Sequence, residues 1–152
     1  MRPLSDQVAP ASPASPVQVR VLGPDWAGPS PNDLRRLFRG RRLTPARRQR
    51  LANSGRVVAQ CSGRLVGIAA YERVDREIRV HEFGIDQASP APVEEIAGTL
   101  LDALEVACLA GGGSRLVLLP RAAVAETLLR RRGFSTIAQG CAGSWFEKIF
   151  PS

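Results

Sequence analysis

Residues 89–120 read SPAPVEEIAGTLLDALEVACLAGGGSRLVLLP, and their period decides the architecture. Val93, Ile96, Ala97, Leu100, Leu101, Leu104, Ala107 and Cys108 recur at helical spacing, while Glu94, Glu95, Thr99, Asp102 and Glu105 fall opposite. This is an amphipathic helix with one core face. Ser89 is placed to cap it, and Gly111-Gly112-Gly113 to end it. Arg115-Leu116-Val117-Leu118-Leu119, stopped by Pro120, has the length and composition of a strand buried on both faces. A helix leading into such a strand is a crossover to a parallel neighbour, so the chain is α/β.

Upstream of the helix the period is two. Residues 56–61, 64–74 and 77–86 alternate, and Ser62-Gly63 and Asp75-Arg76 separate them, which predicts a three-strand antiparallel meander. Residues 16–23 alternate as well and stop at Gly23-Pro24. Between lie two short helices, one capped by Ser30 or Asn32 and carrying Leu34, Leu37 and Phe38, the other opened by Thr44-Pro45. Downstream, residues 122–132 form a last helix closed by Gly133, and residues 134–150 two strands about the Gly140-Cys141-Ala142-Gly143 turn.

This order of elements resembles the GNAT acyltransferase superfamily over residues 17–150. The resemblance is carried by Gly63-Arg64-Leu65-Val66-Gly67, by Leu100-Leu101-x-x-Leu104-Glu105-x-Ala107 followed by Gly113-Ser114-Arg115-Leu116-Val117-Leu118, by Arg131-Arg132-Gly133-Phe134 and by Trp145-Phe146-Glu147-Lys148. It implies a mixed, mostly antiparallel central sheet, splayed in the middle and flanked by helices. It also implies direct acyl transfer to an amine in a ternary complex, with acetyl-CoA or another acyl-CoA as co-substrate. The pantetheine arm would thread between strands 77–86 and 115–119. Phe83, Gly84, Ile85, Glu95, Ile96, Ala97 and Leu119 are the expected coenzyme contacts. Glu82 is the expected base, because an amine must lose a proton before it attacks, and His81, the only imidazole, is the second catalytic candidate because it titrates near neutrality. Strict alternation puts Glu82 and Gly84 on one face and His81, Phe83 and Ile85 on the other.

Two features depart from the family pattern. Where the diphosphate loop carries glycines, this chain has Pro92-Val93-Glu94-Glu95-Ile96-Ala97. Proline has no N–H and the glutamates oppose an anion, so the coenzyme is expected to bind weakly, with little dependence on salt. Where the family commonly has a tyrosine to protonate the departing thiolate stands Leu129.

Composition narrows the rest. The 152 residues are 44% hydrophobic and 23% charged, as expected for one globular domain over 17–152, and no apolar run approaches a membrane span. Residues 1–16, rich in Pro, Ala and Ser, read as a disordered leader with no secretory core, so a cytoplasmic protein is expected. Cys61, Cys108, Cys141 and the lone His81 make no metal-ligand spacing.

The net charge of +7 is local. Eight arginines and no acid fall between positions 35 and 50, whereas 13 bases face 14 acids elsewhere; all bases but Lys148 are arginine, a bacterial-like, GC-rich usage. Arg35, Arg39, Arg41, Arg42, Arg47 and Arg48 form the expected acceptor or acidic-partner patch. That patch supports an alternative function, a non-catalytic module of the same fold binding an acidic partner. As a nucleic-acid surface it would contact phosphates without reading sequence, and no nucleic-acid motif accompanies it.

Overall fold

The computed structural model describes residues 17–22, 28–39, 43–119, 124–140 and 143–151. The leader, Arg41, Arg42 and the Cys141-Ala142 turn lie outside them. In chain order the elements are β1 (Gln18–Leu22), α1 (Pro31–Phe38), α2 (Pro45–Asn53), β2 (Gly55–Cys61), β3 (Arg64–Val74), β4 (Glu77–Ile85), α3 (Val93–Ala110), β5 (Arg115–Leu118), α4 (Glu126–Arg131), β6 (Ser135–Gly140) and β7 (Gly143–Ile149). The strands form one seven-stranded sheet, β1-β2-β3-β4-β5-β7-β6. Every neighbouring pair is antiparallel except β4 and β5. The fold is therefore mixed α/β and mostly antiparallel, with the parallel step made through α3.

Each face of the sheet has its own core. Ile96, Leu100, Leu101, Leu104 and Cys108 of α3 pack with Val57, Ala69, Ile78, Val80, Phe83 and Ile85. On the other face Leu37, Phe38, Leu43 and Leu51 cover Val58, Leu65, Ile68 and Ala70. Two strand glycines set how closely these layers approach. A Cβ on Gly67 would lie 2.8 Å from Ile96, and one on Gly84 would lie 3.0 Å from both the Leu37 carbonyl and the Phe38 ring. Either position therefore accepts only glycine without displacing a helix.

The starts of α1 and α2 follow their local chemistry. Ser30 accepts from the Asp33 N–H in a capping box, and Thr44 accepts from the Arg47 N–H ahead of Pro45. At α3 the expected Ser89 cap is displaced. Ser89 Oγ accepts from the Ala91 N–H, and the N-cap is Pro92, with φ −61° and ψ 143°. Residues 87–91 turn and bend, Pro92 is held extended, and proline disfavours helical geometry in the residue before it, so Pro90 and Pro92 delay the helix.

The middle of the sheet opens because β4 outruns β5. Glu77 to Val80 pair with Arg115 to Leu118, and the Leu119 N–H adds a bond to the Val80 carbonyl at 3.0 Å. Beyond that point β4 continues to Ile85 paired, among the described residues, with β3 alone.

Candidate active site

The register of β4 on β3 shifts where the sheet opens. Ala70 faces Glu82 while Tyr71 faces Val80, leaving His81 as the extra residue of a bulge. The bulge has two consequences. Phe83 and Ile85 join Ile78 and Val80 on the α3 face, whereas His81 and Glu82 both turn toward α1 and α2. The alternation expected from sequence, with His81 beside Phe83 and Ile85, is corrected here, because one inserted residue reverses every side chain beyond it. The backbone reverses with it. The Asp86 N–H donates to the Val66 carbonyl at 2.8 Å, on the β3 side. Alternation from Asp86 turns the N–H groups of Phe83 and Ile85 to the opposite, opened edge.

Glu82 is 2% exposed, and its carboxylate is held in a two-pronged pair by Arg47, with Nε to Oε2 at 2.7 Å and Nη2 to Oε1 at 2.6 Å. The pair depends on the start of α2, since the Thr44 cap fixes the turn that carries Arg47. The hydrogen bond to Glu82 raises the Arg47 pKa despite burial.

His81 is 4% exposed, and its Nε2 lies 2.9 Å from Ser54 Oγ. The Ser54 hydroxyl donates to the Arg50 carbonyl at 2.5 Å, so its oxygen must accept from Nε2–H. Nδ1 is then the bare nitrogen, buried and without a hydrogen-bond partner among the described residues. Burial lowers the His81 pKa; the Glu72 charge opposes this, Arg50 adds to it, and Glu82 opposes it.

Since the unfolded chain binds this proton more readily, His81 lowers stability as pH falls below the ordinary histidine value of 6.5. Urea melts from pH 7.5 to 5.5 are expected to show stability declining, and His81→Gln to flatten the decline. An equal slope in the variant would mean that His81 is not held neutral.

A cleft of about 260 Å³ sits at the open edge, lined by Leu37, Phe38, Phe83, Ile85 and Val93, with Arg39 and Gln87 at one end. Leu119, half-buried, follows the last residue of β5 and donates the final bond to β4. The start of α3 offers an anion little. The Glu95 and Ile96 N–H groups are spent on the Pro92 carbonyl at 3.0 and 3.1 Å, and Glu94 pairs with Arg131 at 2.8 Å. Glu95 is exposed, whereas Ile96 and Ala97 are core residues. Leu129 is also in the core.

The arginine run divides by direction. Arg47 points inward to Glu82, and Arg36 pairs with Asp33 and Asp86. Arg35, Arg39 and Arg48 are exposed. Nothing in the spacing of Arg47 and Glu82, or of Ser54 and His81, announced these contacts; the Thr44-Pro45 cap was the one local signal for where Arg47 would be held.

No family model matches the chain, and no curated protein is similar to it in sequence. Its fold is nevertheless shared by solved structures. A GNAT family acetyltransferase from Elizabethkingia anophelis with acetyl-CoA bound superposes with a TM-score of 0.66 at 12% identity, over 88% of this chain and 98% of that one. N-acetylglutamate synthase from Neisseria gonorrhoeae, complexed with coenzyme A and N-acetyl-glutamate, gives 0.65 at 13% identity over 93% of this chain. The PaiA N-acetyltransferase from Thermoplasma acidophilum, in complex with coenzyme A, gives 0.54 at 15% identity over 62%. The chain spans 37% of the length of the synthase and 60% of that of PaiA.

Proposed function

Starting from a chain that has the GNAT acetyltransferase fold, we propose that it is an acyl-CoA-dependent N-acyltransferase. The observation that carries this reading is the open edge of β4. There the Phe83 and Ile85 amides face an apolar cleft, and the same strand carries Glu82 and His81 buried behind it at its bulge.

The fit to an acyl-CoA is good at the arm and poor at the start of α3. An apolar cleft beside free strand amides suits a slender chain of amides and methylenes, which the strand edge binds as it would another strand. An amide N–H on this edge polarises the thioester carbonyl and stabilises the negative charge that grows there on attack. The coenzyme supplies the activated acyl group and the thiolate leaving group.

Of the two polar neighbours, His81 is the proton acceptor in this arrangement. It is neutral, its Nε2–H is anchored on Ser54, and its buried Nδ1 lone pair has no hydrogen-bond partner among the described residues, which leaves it as the group to take the acceptor's proton. Glu82, fixed by Arg47, favours the positive charge that His81 then gains. Transfer is direct, without an acyl-enzyme on Cys108, because burial pushes that thiol up and keeps it protonated at neutral pH.

The test is release of free thiol from acetyl-CoA with a panel of amine acceptors. His81→Gln is expected to lower kcat by roughly 10²- to 10⁴-fold, the range for losing a general base, while KM for acetyl-CoA stays unchanged. The acidic limb of the pH profile should disappear with it. A wild-type protein that transfers to no amine, yet binds an acidic polymer through Arg35, Arg39 and Arg48, would replace this reading with the non-catalytic one.

A further inference from the structure

Past Arg39 and Gln87 the apolar cleft meets a wider one of about 580 Å³, walled by Arg35, Arg36, Arg39 and Asp86 with Gln87 and Ala88. Both clefts are lined by Arg39 and Gln87, so they form one groove, apolar toward Phe83 and cationic at the far end.

The three guanidinium groups are not equivalent. Arg36 is spent, because its Nη1 donates to Asp86 Oδ2 and to the Leu65 carbonyl, both at 2.9 Å, and its Nη2 to Asp33. Asp86 is balanced by Arg36 and by Arg64 at 3.6 Å, so it does not cancel the remaining charges. Arg35 hydrogen-bonds to the neutral side-chain oxygen of Asn32. Neither Arg35 nor Arg39 forms an ion pair among the described residues. Arg39 also caps α1 in the left-handed region, with φ 34° and ψ 72°, a common way for a helix to end.

The Arg36–Asp86 bridge ties α1 to the segment leaving β4, and this holds the cationic wall opposite Gln87. We propose that this groove binds the coenzyme lengthwise, with Arg35 and Arg39 of α1 gripping its phosphates because the start of α3 sets Pro92, Glu94 and Glu95 where an anion would lie. The proposal rests on the acyl-CoA reading above. A planar guanidinium donates two parallel hydrogen bonds to a phosphate, so two of them at one end of an apolar slot match a ligand with an uncharged arm and a phosphorylated tail. The weak, salt-insensitive binding expected from the start of α3 is thereby replaced by binding whose phosphate part is salt-sensitive and lies on α1.

The experiment is calorimetric titration of the full chain with coenzyme A and, separately, with pantetheine, which has the arm but no phosphate. Coenzyme A is expected to bind the tighter, by roughly 10- to 100-fold for each engaged arginine, and its advantage should shrink as salt is raised. In the Arg35→Gln, Arg39→Gln double variant that advantage should vanish, with pantetheine binding and the melting temperature unchanged. Arg130→Gln, remote in the groove's own terms and paired with Glu126, should alter neither titration.

If coenzyme A keeps its advantage in the double variant, the proposal is overturned and the acyl-CoA function survives. If wild-type protein binds neither ligand, the acyl-CoA reading falls and this proposal with it. If the double variant loses only an acidic polymer such as heparin, the two arginines serve a macromolecular partner and the proposal is again overturned.

Discussion

Arg47→Ala is expected to destabilise the protein by about 3–5 kcal/mol, the range for removing one partner of a buried ion pair. The cost arises at Glu82. That carboxylate is 2% exposed, and both of its oxygens are held by Arg47, whose own side chain is 16% exposed. Without the guanidinium, the chain must bury an unpaired charge, protonate it or open α2 to water. Against a total stability of about 5–15 kcal/mol for a domain this size, the loss is severe. Arg48→Ala, one residue along and exposed, should change stability by less than about 0.5 kcal/mol. Pairing Arg47→Met with Glu82→Leu should recover much of the loss, since an apolar pair of similar volume needs no compensation. Equal urea midpoints for the Arg47 and Arg48 variants would show that the pair does not hold α2 to the sheet.

The second large effect is Leu101→Ala, expected to cost about 2–5 kcal/mol. Leu101 is fully buried in the α3 core, alongside Leu100 and Leu104. Truncation removes three carbons' worth of contact and leaves a cavity that helix and sheet, already packed against the bare backbone of Gly67, cannot close by moving nearer. Glu94→Ala is the control. Its carboxylate pairs with Arg131 at an exposed site, both side chains more than 60% accessible, and such pairs contribute about 1 kcal/mol at most. Thermal melts of the two variants should therefore separate widely; coincident melts would mean that α3 packs on a different face.

These two expectations were unequally legible. The buried face of α3 was readable from residues 93–108 because helical spacing is a property of one chain segment, and every residue placed on that stripe from Val93 to Cys108 is buried or partly buried. The cap at Thr44 was readable for the same reason, and that of α1 was narrowed to Ser30 or Asn32, since each is closed by a bond to a residue three positions on. Ser89 misled, because Pro90 and Pro92 downstream delay the helix to Val93.

The faces of β4 were half legible. Ile78 and Val80 follow the alternation, but the bulge at His81 depends on how many residues β3 sets opposite, a fact about two strands that neither contains. Glu82 was singled out from the resemblance and from its place in the strand; that it would be buried, and clasped by a residue 35 positions earlier, was not written there.

The sequence alone thus determined which elements form, in what order, and which side of the long helix faces the core, because those outcomes are decided by neighbours within a turn or two. It also determined that the positive charge is concentrated between positions 35 and 50. Only the tertiary structure decided which of those arginines are internal and which remain exposed. Arg47 and Arg48 are adjacent and chemically identical, yet α2 lies on the sheet so that one meets Glu82 while the other meets solvent. The same holds for the open edge of β4 and the groove that leads from it to Arg39. The edge is open because β5 stops at Leu118 while β4 runs on, and the groove exists because α1 faces the end of β4 and the segment after it; neither condition exists until the elements are packed together.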